Sequence, residues 1–247
     1  HHDCSAIPFG HEADELEEAE ELVAGFFNES ADTEWNVYED SYNLDNNVTS
    51  PYSDCWCTQI SYGPATWYVL DDYAKIQWAV DNATAGDTII VRDGTYTENV
   101  NVNKRLSIRS ENGSANCIVQ AANHNDHLFE ITANYVNISG FTIENAKGEV
   151  CEYWCDEAGI YLDNVGHCNI TNNNLTNNCY AIYLYFSSNN HLANNTASNN
   201  NNGITLYSSK NNTLINNTAI SNTDRGLQLL FSSNNNTLIN NTAISNN

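Results

Sequence analysis

Four similar blocks recur at an almost constant interval in the C-terminal third of the chain, and this repeat constrains the fold more than any other feature. Each block places asparagine three positions after a large aliphatic residue. The aliphatic positions are 22, 22 and 24 residues apart, and they are Ile170, Leu192, Leu214 and Leu238. An interval of this length is typical of a solenoid, in which each repeat is one coil stacked on the next.

A second apolar stretch, alternating with polar residues, lies inside each interval. It begins 12, 12 and 13 residues after the aliphatic position, and its members are Ile182 and Leu184, Ile204 and Leu206, and Leu227 and Leu229. Such alternation predicts a β-strand, so each period holds at least two short strands separated by polar corners. This pattern predicts an all-β fold, a parallel β-helix (a solenoid) with coils of about 22 residues.

Stacking of the coils explains the composition. Equivalent residues of successive coils lie about 4.8 Å apart, so the aliphatic residues are expected to form one inward ladder. Asparagine suits a corner, because it tolerates left-handed backbone angles and stacked amides hydrogen-bond to one another. The predicted corner ladder consists of Asn173, Asn195, Asn217 and Asn241. From Asn164 onward 27 of 84 residues are asparagine, and stacking makes a regular wall of a composition otherwise typical of disorder.

Short strand-like runs continue the pattern upstream. They are bounded by asparagine, glycine or serine and comprise residues 87–91, 106–108, 128–131, 136–138 and 141–143. Before them, residues 73–80 have apolar positions at helical spacing, and a helix there would cover the first coil, as terminal caps do in solenoids. The sequence therefore predicts a β-helix domain at residues 67–247 behind an acidic arm or cap at residues 1–66.

The order of this helix and the runs at residues 85–91, 93–100 and 104–108 resembles the opening of right-handed parallel β-helix proteins of the pectin-lyase-like superfamily. The branch with NosD-type repeats, common in surface and secreted proteins of methanogenic archaea, is the nearer match, over about residues 67–247. This resemblance implies a right-handed coil with an N-terminal capping helix. It does not imply one activity, because the superfamily contains lyases, hydrolases, esterases, adhesins and structural shells.

Residues 1–66 contain 15 Asp or Glu and no Lys or Arg, so −15 of the formal net charge of −23 lies there. Residues 12–27 read as an amphipathic helix, and the segment would act either as an extra cap or as an arm that docks on a neighbouring subunit. The shortage of Lys and Arg argues against nucleic-acid binding. The acidity fits a salty habitat or weak Ca²⁺ binding, although no EF-hand or RTX spacing is present.

Several signals indicate secretion to an extracellular or cell-surface location. No signal peptide or transmembrane run is present and the chain starts with His, so we expect a mature, processed chain. Twelve Asn-X-Ser/Thr sequons are candidate glycosylation sites: Asn28, Asn47, Asn82, Asn112, Asn137, Asn169, Asn174, Asn194, Asn211, Asn216, Asn235 and Asn240.

The eight cysteines lack a zinc-type pattern and are candidates for disulfides: Cys4, Cys55, Cys57, Cys117, Cys151, Cys155, Cys168 and Cys179. A Cys168–Cys179 bridge and a bridge from Cys4 to Cys55 or Cys57 are expected.

Candidate catalytic and metal-binding residues are few. Asp224 and Arg225 end an Asn-Thr-Asp-Arg run that echoes a hydrolase motif, but its partner motifs are missing and a turn insertion is the favoured explanation. An N-terminal His1, with His2, could chelate Cu²⁺, and NosD-type resemblance links such proteins to copper-site maturation. His124 and His127 have a spacing that suits either a metal or a polar corner. We expect no cofactor, with Ca²⁺ or Cu²⁺ as the alternatives.

An insertion at residues 147–158 carries Tyr153 and Trp154, which could stack on a sugar or on a neighbouring subunit, or lie in a disulfide-pinned loop.

The chain stops near Ile244, inside a repeat, so either the polypeptide continues or this coil meets another copy. Such head-to-tail contacts propagate as filaments. The sequence thus predicts a non-enzymatic, self-assembling subunit of a filament, sheath or surface layer. A carbohydrate-binding or carbohydrate-active β-helix and a copper-handling protein are the alternatives.

Overall fold

Each turn of the chain adds one strand to each of three parallel sheets. The computed structural model describes residues 63–148 and 156–247, which form a parallel β-solenoid of about seven turns. The strands are β1 (Thr66–Val69), β2 (Thr88–Val91), β3 (Gly94–Thr97), β4 (Val100–Val102), β5 (Ser107–Ser110), β6 (Cys117–Gln120), β7 (Phe129–Ile131), β8 (Asn137–Ser139), β9 (Thr142–Glu144), β10 (Ala158–Asp163), β11 (Asn169–Thr171), β12 (Asn174–Thr176), β13 (Tyr180–Tyr185), β14 (His191–Ala193), β15 (Thr196–Ser198), β16 (Asn202–Tyr207), β17 (Thr213–Ile215), β18 (Thr218–Ile220), β19 (Arg225–Leu230), β20 (Thr237–Ile239) and β21 (Thr242–Ile244).

The three sheets differ in strand number within the described residues. Sheet 1 has eight strands in the order β1-β2-β5-β8-β11-β14-β17-β20. Sheet 2 has seven, β3-β6-β9-β12-β15-β18-β21, and sheet 3 has six, β4-β7-β10-β13-β16-β19. All strand pairs are parallel, as a coil-on-coil stack requires. The predicted all-β parallel β-helix is therefore confirmed.

The register of sheet 1 reproduces the sequence repeat. Ile170 lies opposite Leu192, and Leu192 lies opposite Leu214, so the 22-residue interval equals one coil. These three side chains are fully buried, which confirms the predicted inward ladder. Leu238 continues the column in β20 but is 42% exposed, because this strand lies at the outer edge of the described sheet.

Buried asparagines join the coils at the corner between sheets 1 and 2. The Nδ2 of Asn195 donates to the Oδ1 of Asn217 at 2.9 Å and to the carbonyl of Ile170 at 2.8 Å. Its own Oδ1 accepts from the backbone N–H and the Nδ2 of Asn173, both at 3.1 Å. Each side chain thus satisfies groups in the coils on both sides, and the predicted corner ladder of stacked amides is confirmed.

The other two corners are built in the same way. Between sheets 2 and 3 the buried ladder consists of Asn178, Asn200, Asn222 and Asn246. Between sheets 3 and 1 it consists of Asn190, Asn212 and Asn236, beside a second ladder of Ser187, Ser209 and Ser233. These side chains supply hydrogen bonds where the chain leaves one sheet, so no corner has to leave its backbone groups unpaired.

Left-handed backbone angles fall on the residue before each ladder asparagine. At the corner between sheets 1 and 2, Asn194, Asn216 and Asn240 have φ values of 57°, 53° and 52°. The first two are exposed corner residues, whereas the asparagines that follow them are buried. The two properties that make asparagine suitable for a corner are therefore divided between neighbouring residues.

The helix α1 (Ile76–Asn82) packs against β1, β2 and β4 and buries Ile76, Ala79 and Val80. The carboxylate of Glu98 accepts from the backbone N–H of Ile76 at 3.0 Å and of Gln77 at 2.9 Å, which satisfies the free donors of the first turn. A helix is present where the apolar spacing of residues 73–80 predicts one, but it begins three residues later because Lys75 is extended. No helix among the described residues is long and apolar enough to cross a membrane. Residues 1–62 lie outside this description.

The predicted Cys168–Cys179 bridge is wrong. Cys168 is a free, buried thiol at the corner that leads into β11, and its Sγ lies 3.5 Å from the carbonyl oxygen of Ala133. Cys179 is disulfide-bonded but precedes β13, about half a coil away in sheet 3. Cys117 is a second free, buried thiol. The remaining cysteines, Cys4, Cys55, Cys57, Cys151 and Cys155, lie outside the described residues.

Candidate functional site: an aromatic strip on sheet 3

The outer face of sheet 3 carries a column of aromatic rings. In β13, Ile182 and Leu184 point into the core, so Tyr183 and Tyr185 between and after them point outward. The parallel register places Tyr183 beside Tyr161 of β10, and Tyr185 beside Tyr207 of β16. We define the aromatic strip as the ring residues in mutual contact on this face: His127, Tyr161, Tyr180, Tyr183, Tyr185, Phe186, Tyr207 and Phe231.

The strip is continuous over five coils. Tyr161 and Tyr183 have ring centroids 5.5 Å apart, Tyr183 and Tyr185 are 6.1 Å apart, and Tyr185 and Tyr207 are 5.3 Å apart. Tyr207 in turn lies 4.4 Å from Phe231, which is 75% exposed. These spacings are those of attractive aromatic pairs. The strip therefore presents flat apolar faces together with phenolic hydroxyl groups along the axis of the solenoid.

Acidic side chains lie near the part of the strip that comes first in the sequence, around Tyr161 and Tyr183. Burial raises the pKa of Tyr161 above its ordinary value, and the nearby Asp163 raises it further. The pKa of Tyr183 is raised in the same way, first by burial and then by Tyr180. Burial and the charge of Asp126 also raise the pKa of the Glu130 carboxyl. The tyrosine hydroxyls therefore stay protonated at neutral pH, and they can donate hydrogen bonds to a ligand.

His127 is the first residue of the strip in sequence and lies at one end of it. Its ring stacks on Tyr161 with 3.9 Å between centroids, and its Nδ1 accepts from the backbone N–H of Ala158 at 3.1 Å. Burial lowers the pKa of His127 despite the opposing effect of nearby carboxylates, of which Asp126 is the largest. The neutral ring is therefore favoured, and it serves as a packed aromatic surface.

His124 and His127, which the sequence suggested as a metal-binding pair, each make a hydrogen bond to a different part of the backbone. The Nδ1 of His124 lies 2.7 Å from the carbonyl oxygen of Asn145, whereas that of His127 bonds to β10. Within residues 63–148 and 156–247 no three His, Cys, Asp or Glu side chains are grouped to hold a metal ion. His1 and His2 lie outside those residues, so copper binding at the N-terminus stays a prediction.

The catalytic candidates lie at the edge of the strip. Arg225 begins β19 and shares a column with Asn202 and Tyr180. Its Nη1 forms an ion pair of 2.8 Å with Asp224, and both side chains are about half exposed (53% each). Burial raises the pKa of Tyr180, and the charges of Asp156 and Asp224 add to this shift. The interface candidates Tyr153 and Trp154 lie outside the described residues.

A cleft of about 230 Å³ lies beside sheet 1, near the corner where sheets 3 and 1 meet. Tyr135 and His167 stack in it with 4.8 Å between ring centroids, and the guanidinium of Arg105 lies 5.9 Å from the Tyr135 ring. The cleft is lined mainly by polar groups and lacks a carboxylate. It offers less apolar surface than the strip.

The aromatic strip was detectable from the sequence but was not predicted. Tyr161 and Tyr183 are 22 residues apart, as are Tyr185 and Tyr207. The repeat was recognised from the apolar residues that alternate with these tyrosines, such as Ile182 and Leu184, because the apolar residues form the core. Extending the same register to the alternate positions would have placed the four tyrosines in two columns on the outer face.

Residues 80–247 match the family described as periplasmic copper-binding protein (NosD). This match covers more than half of the chain. The chain belongs to the NosD family. The resemblance to NosD-type repeats that the sequence predicted is thereby confirmed, and the NosD match begins within α1 and continues through all the coils that follow.

The NosD chain is also similar to a cell surface glycoprotein of Methanothermus fervidus, with 43% identity over 107 residues. That match covers 42% of this chain and 16% of the relative, so the chain spans only a small part of the relative's length.

Two solved structures share the fold with 16% sequence identity each. The pectate lyase Pel9A has a TM-score of 0.56, with 68% of this chain and 50% of that chain covered. The rice weevil pectin methyl esterase has a TM-score of 0.55, with 80% and 68% covered. At this identity the likeness shows the β-helix fold alone.

Proposed function

We propose that this chain is the rigid structural part of a secreted cell-surface protein and not an enzyme. Two observations support the proposal: the continuous stack of coils, which buried ladders join from Phe141 onward, and the 43% identity to a protein named as a cell surface glycoprotein. A solenoid in which each coil contacts only its neighbours is a rod whose length follows from coil number. Such a rod suits a surface coat, where stiffness and reach matter more than a single binding pocket.

Labelling of intact cells tests the location. A membrane-impermeant amine reagent should modify the exposed Lys75 and Lys210 in whole cells, and an antibody raised against the folded β-helix should bind unbroken cells. A cytoplasmic protein of the same cells is the matched control and should stay unlabelled. Labelling that appears only after the cells are broken would contradict the proposed location.

We further propose that copies associate into a filament, sheath or surface layer, with the acidic arm at residues 1–66 as an additional contact. Leu238 and Ile239 of β20 and Ile244 of β21 are 42%, 44% and 51% exposed. In the proposed polymer a second copy packs against these side chains and buries them. A head-to-tail contact of this kind extends without closing.

Substitution at this coil tests the association. Ile244→Lys should shorten or abolish polymers of the native protein in electron micrographs, since a buried lysine would lack a partner. Tyr135→Lys is the control, because Tyr135 is a similarly exposed apolar residue (53%) on a coil in the middle of the stack. Polymers of unchanged length in the Ile244 variant would exclude this coil as the contact.

Carbohydrate binding by the aromatic strip is the second candidate function. Sugar rings pack on aromatic faces, and Phe186 and Phe231 expose 49% and 75% of their surface beside Tyr207. Phe231→Ala should reduce retention of the protein on polysaccharide prepared from the same cell envelopes. Trp78→Ala removes another exposed ring, 51% exposed and located on α1, and should leave retention unchanged. Equal retention of both variants would exclude the strip as a glycan-binding surface.

A further inference from the structure

Five of the sequons share one local geometry. Asn194, Asn216 and Asn240 lie at the corner between sheets 1 and 2, and Asn211 and Asn235 lie at the corner between sheets 3 and 1. All five are exposed and have φ values between 52° and 59°. Their side-chain amides make no hydrogen bond within the described residues, whereas the asparagine that follows each of them belongs to a ladder.

The ladder explains why each of these sequons faces outward. In Asn216-Asn217-Thr218 the middle asparagine is 2% exposed and points into the corner ladder. The residues on either side of an inward-pointing residue point outward, so the amide of Asn216 and the hydroxyl of Thr218 both lie on the outer surface. The buried ladder therefore fixes the acceptor amide and the hydroxyl of the sequon on the same side of the chain.

Sequons elsewhere in the described residues have different surroundings. Asn169 lies in β11, where its Nδ2 donates to the Oδ1 of Asn137 at 2.6 Å, and the Nδ2 of Asn137 donates to Ser107 Oγ at 2.8 Å. Asn112 donates to both carboxylate oxygens of Asp93 at 3.1 Å. Asn82 donates to the carbonyl of Trp78 at 2.8 Å.

Asn174 differs from both groups. It lies in β12 between Thr142 and Thr196 of the neighbouring strands, and it is half-buried. A glycan on a strand amide of this kind would have to pass the side chains directly above and below it, whereas a corner amide projects away from the sheets.

We propose that the five corner asparagines carry N-linked glycans, arranged as two rows that run along the solenoid axis on either side of sheet 1. The third corner, between sheets 2 and 3, has its left-handed positions at Asn177, Asn199, Ser221 and Ser245, and none of these begins an Asn-X-Ser/Thr sequon. One corner of the solenoid is thus left without sugar and available for protein contacts. This inference rests on the proposed location outside the cytoplasm.

The modification requires an activated sugar donor and a transferase of the secretory route. The donor is an oligosaccharide whose anomeric carbon is esterified to a lipid phosphate or diphosphate. The amide Nδ2 bonds to that carbon and loses one proton to a base, while the bond from carbon to phosphate oxygen breaks and the phosphate leaves with the electron pair. The neighbouring coil lies about 4.8 Å away, so the acceptors of one row are closely spaced.

Glycopeptide mass spectrometry of the protein taken from the cell surface tests the inference, together with two variants. Thr218→Ala removes the sequon of Asn216 without changing the asparagine or its ladder, and the glycan at Asn216 should disappear. Ser221→Asn creates a sequon with Thr223 at the third corner, where φ is already 53°. A new glycan should appear at this position.

The expected pattern is sugar on the five corner sites and none on Asn112, Asn137, Asn169 and Asn174. Bare corner sites, glycans on the strand sites at equal occupancy, or a Ser221→Asn variant that gains no glycan would each overturn the inference. If the corner sites are bare although the protein is labelled on intact cells, this inference fails and the surface location stands. If the protein is not labelled on intact cells, the proposed location fails first.

Discussion

At the scale of single residues, two neighbouring residues have opposite roles at each position of the asparagine ladders, and both are asparagine except at Ser221-Asn222 and Ser245-Asn246. The first takes the left-handed backbone angle and faces solvent, and the second is buried and bonds to the coils above and below. A satisfied hydrogen bond contributes only about 1 kcal/mol net, whereas a buried polar group without a partner costs about 1–3 kcal/mol. The ladders therefore stabilise mainly by preventing unpaired groups at the corners.

Asn195→Ala should lower the free energy of unfolding by about 3 kcal/mol or more, because it leaves the Asn173 N–H and the Ile170 carbonyl without their side-chain partner. Asn194→Gly is the matched control, since glycine adopts φ near 57° readily, and it should change stability by less than about 1 kcal/mol. Chemical denaturation followed by circular dichroism measures both. Equal losses in the two variants would contradict the division of roles.

Asp87 makes the first coils sensitive to acid. Burial alone would raise its pKa, but bonds from the Trp67 side chain at 3.0 Å and from the backbone N–H groups of Thr84 at 2.9 Å and Ala65 at 2.8 Å hold the pKa below its ordinary 3.8. A carboxyl with a depressed folded pKa stabilises the protein above its ordinary pKa, and this contribution is lost as pH falls toward the folded value.

The unfolding free energy should therefore fall below pH 4 in the parent protein, in part through Asp87. Asp87→Asn should cost about 1–3 kcal/mol at pH 7 and should weaken the acid dependence. Denaturation at a series of pH values measures both effects. A variant with the parent's acid dependence would show that Asp87 does not contribute.

The two free cysteines are a further test at this scale. Burial raises the pKa of Cys117 to about 12, and nearby Asp93 adds to the shift; burial also raises the pKa of Cys168. Thiols of this kind react only when the fold opens. Peptide mapping should find both cysteines unmodified after alkylation of the native protein and alkylated after denaturation. Modification of Cys168 in the native protein would contradict its position at a buried corner.

At the scale of elements, the aromatic strip stabilises sheet 3 through ring pairs that extend over five coils. Tyr183 contacts Tyr161, Tyr180 and Tyr185. Tyr183→Ala should cost about 2 kcal/mol, since aromatic pairs contribute roughly 0.5–1.5 kcal/mol each beyond their burial. Tyr183→Phe keeps the ring and should be nearly neutral. Thermal unfolding of the two variants distinguishes loss of ring contacts from loss of the hydroxyl.

The elements differ in how well the sequence predicts them. The coils around Ile170, Leu192 and Leu214 were predictable in register, because equal spacing leaves one arrangement that buries all three. The start of α1 was less certain, since the apolar spacing extends back to Tyr73 while the chain becomes helical only at Ile76. What caps the helix there, the Glu98 carboxylate, lies 22 residues away in sequence.

The site was harder to predict than the fold. Outward-facing residues such as Tyr183 and Tyr207 do not form the core. They are therefore not part of the apolar pattern that reveals the repeat. Cys168 and Cys179 are close in sequence, but they lie at different corners of the coil. Cys168 immediately precedes β11 of sheet 1, and Cys179 immediately precedes β13 of sheet 3. Sequence distance is therefore a poor guide to disulfide pairing in a solenoid.

At the scale of the whole molecule, the balance of 31 acidic against 8 basic residues implies strong self-repulsion. The Debye length falls from about 30 Å at 0.01 M salt to about 3 Å at 1 M. The melting temperature should therefore rise as sodium chloride is added over this range. An equal osmolarity of sucrose is the control for general solute effects. A melting temperature that falls with salt would show that attractive ion pairs dominate.

We propose that this NosD-family β-helix is a structural component of the cell surface. Electron microscopy of the native surface protein, with an intact-mass measurement on the same sample, is the decisive experiment. We expect ordered polymers built from a glycosylated chain, labelled by an antibody against the β-helix. Discrete, unassembled particles that carry no glycan would show that the proposal is wrong.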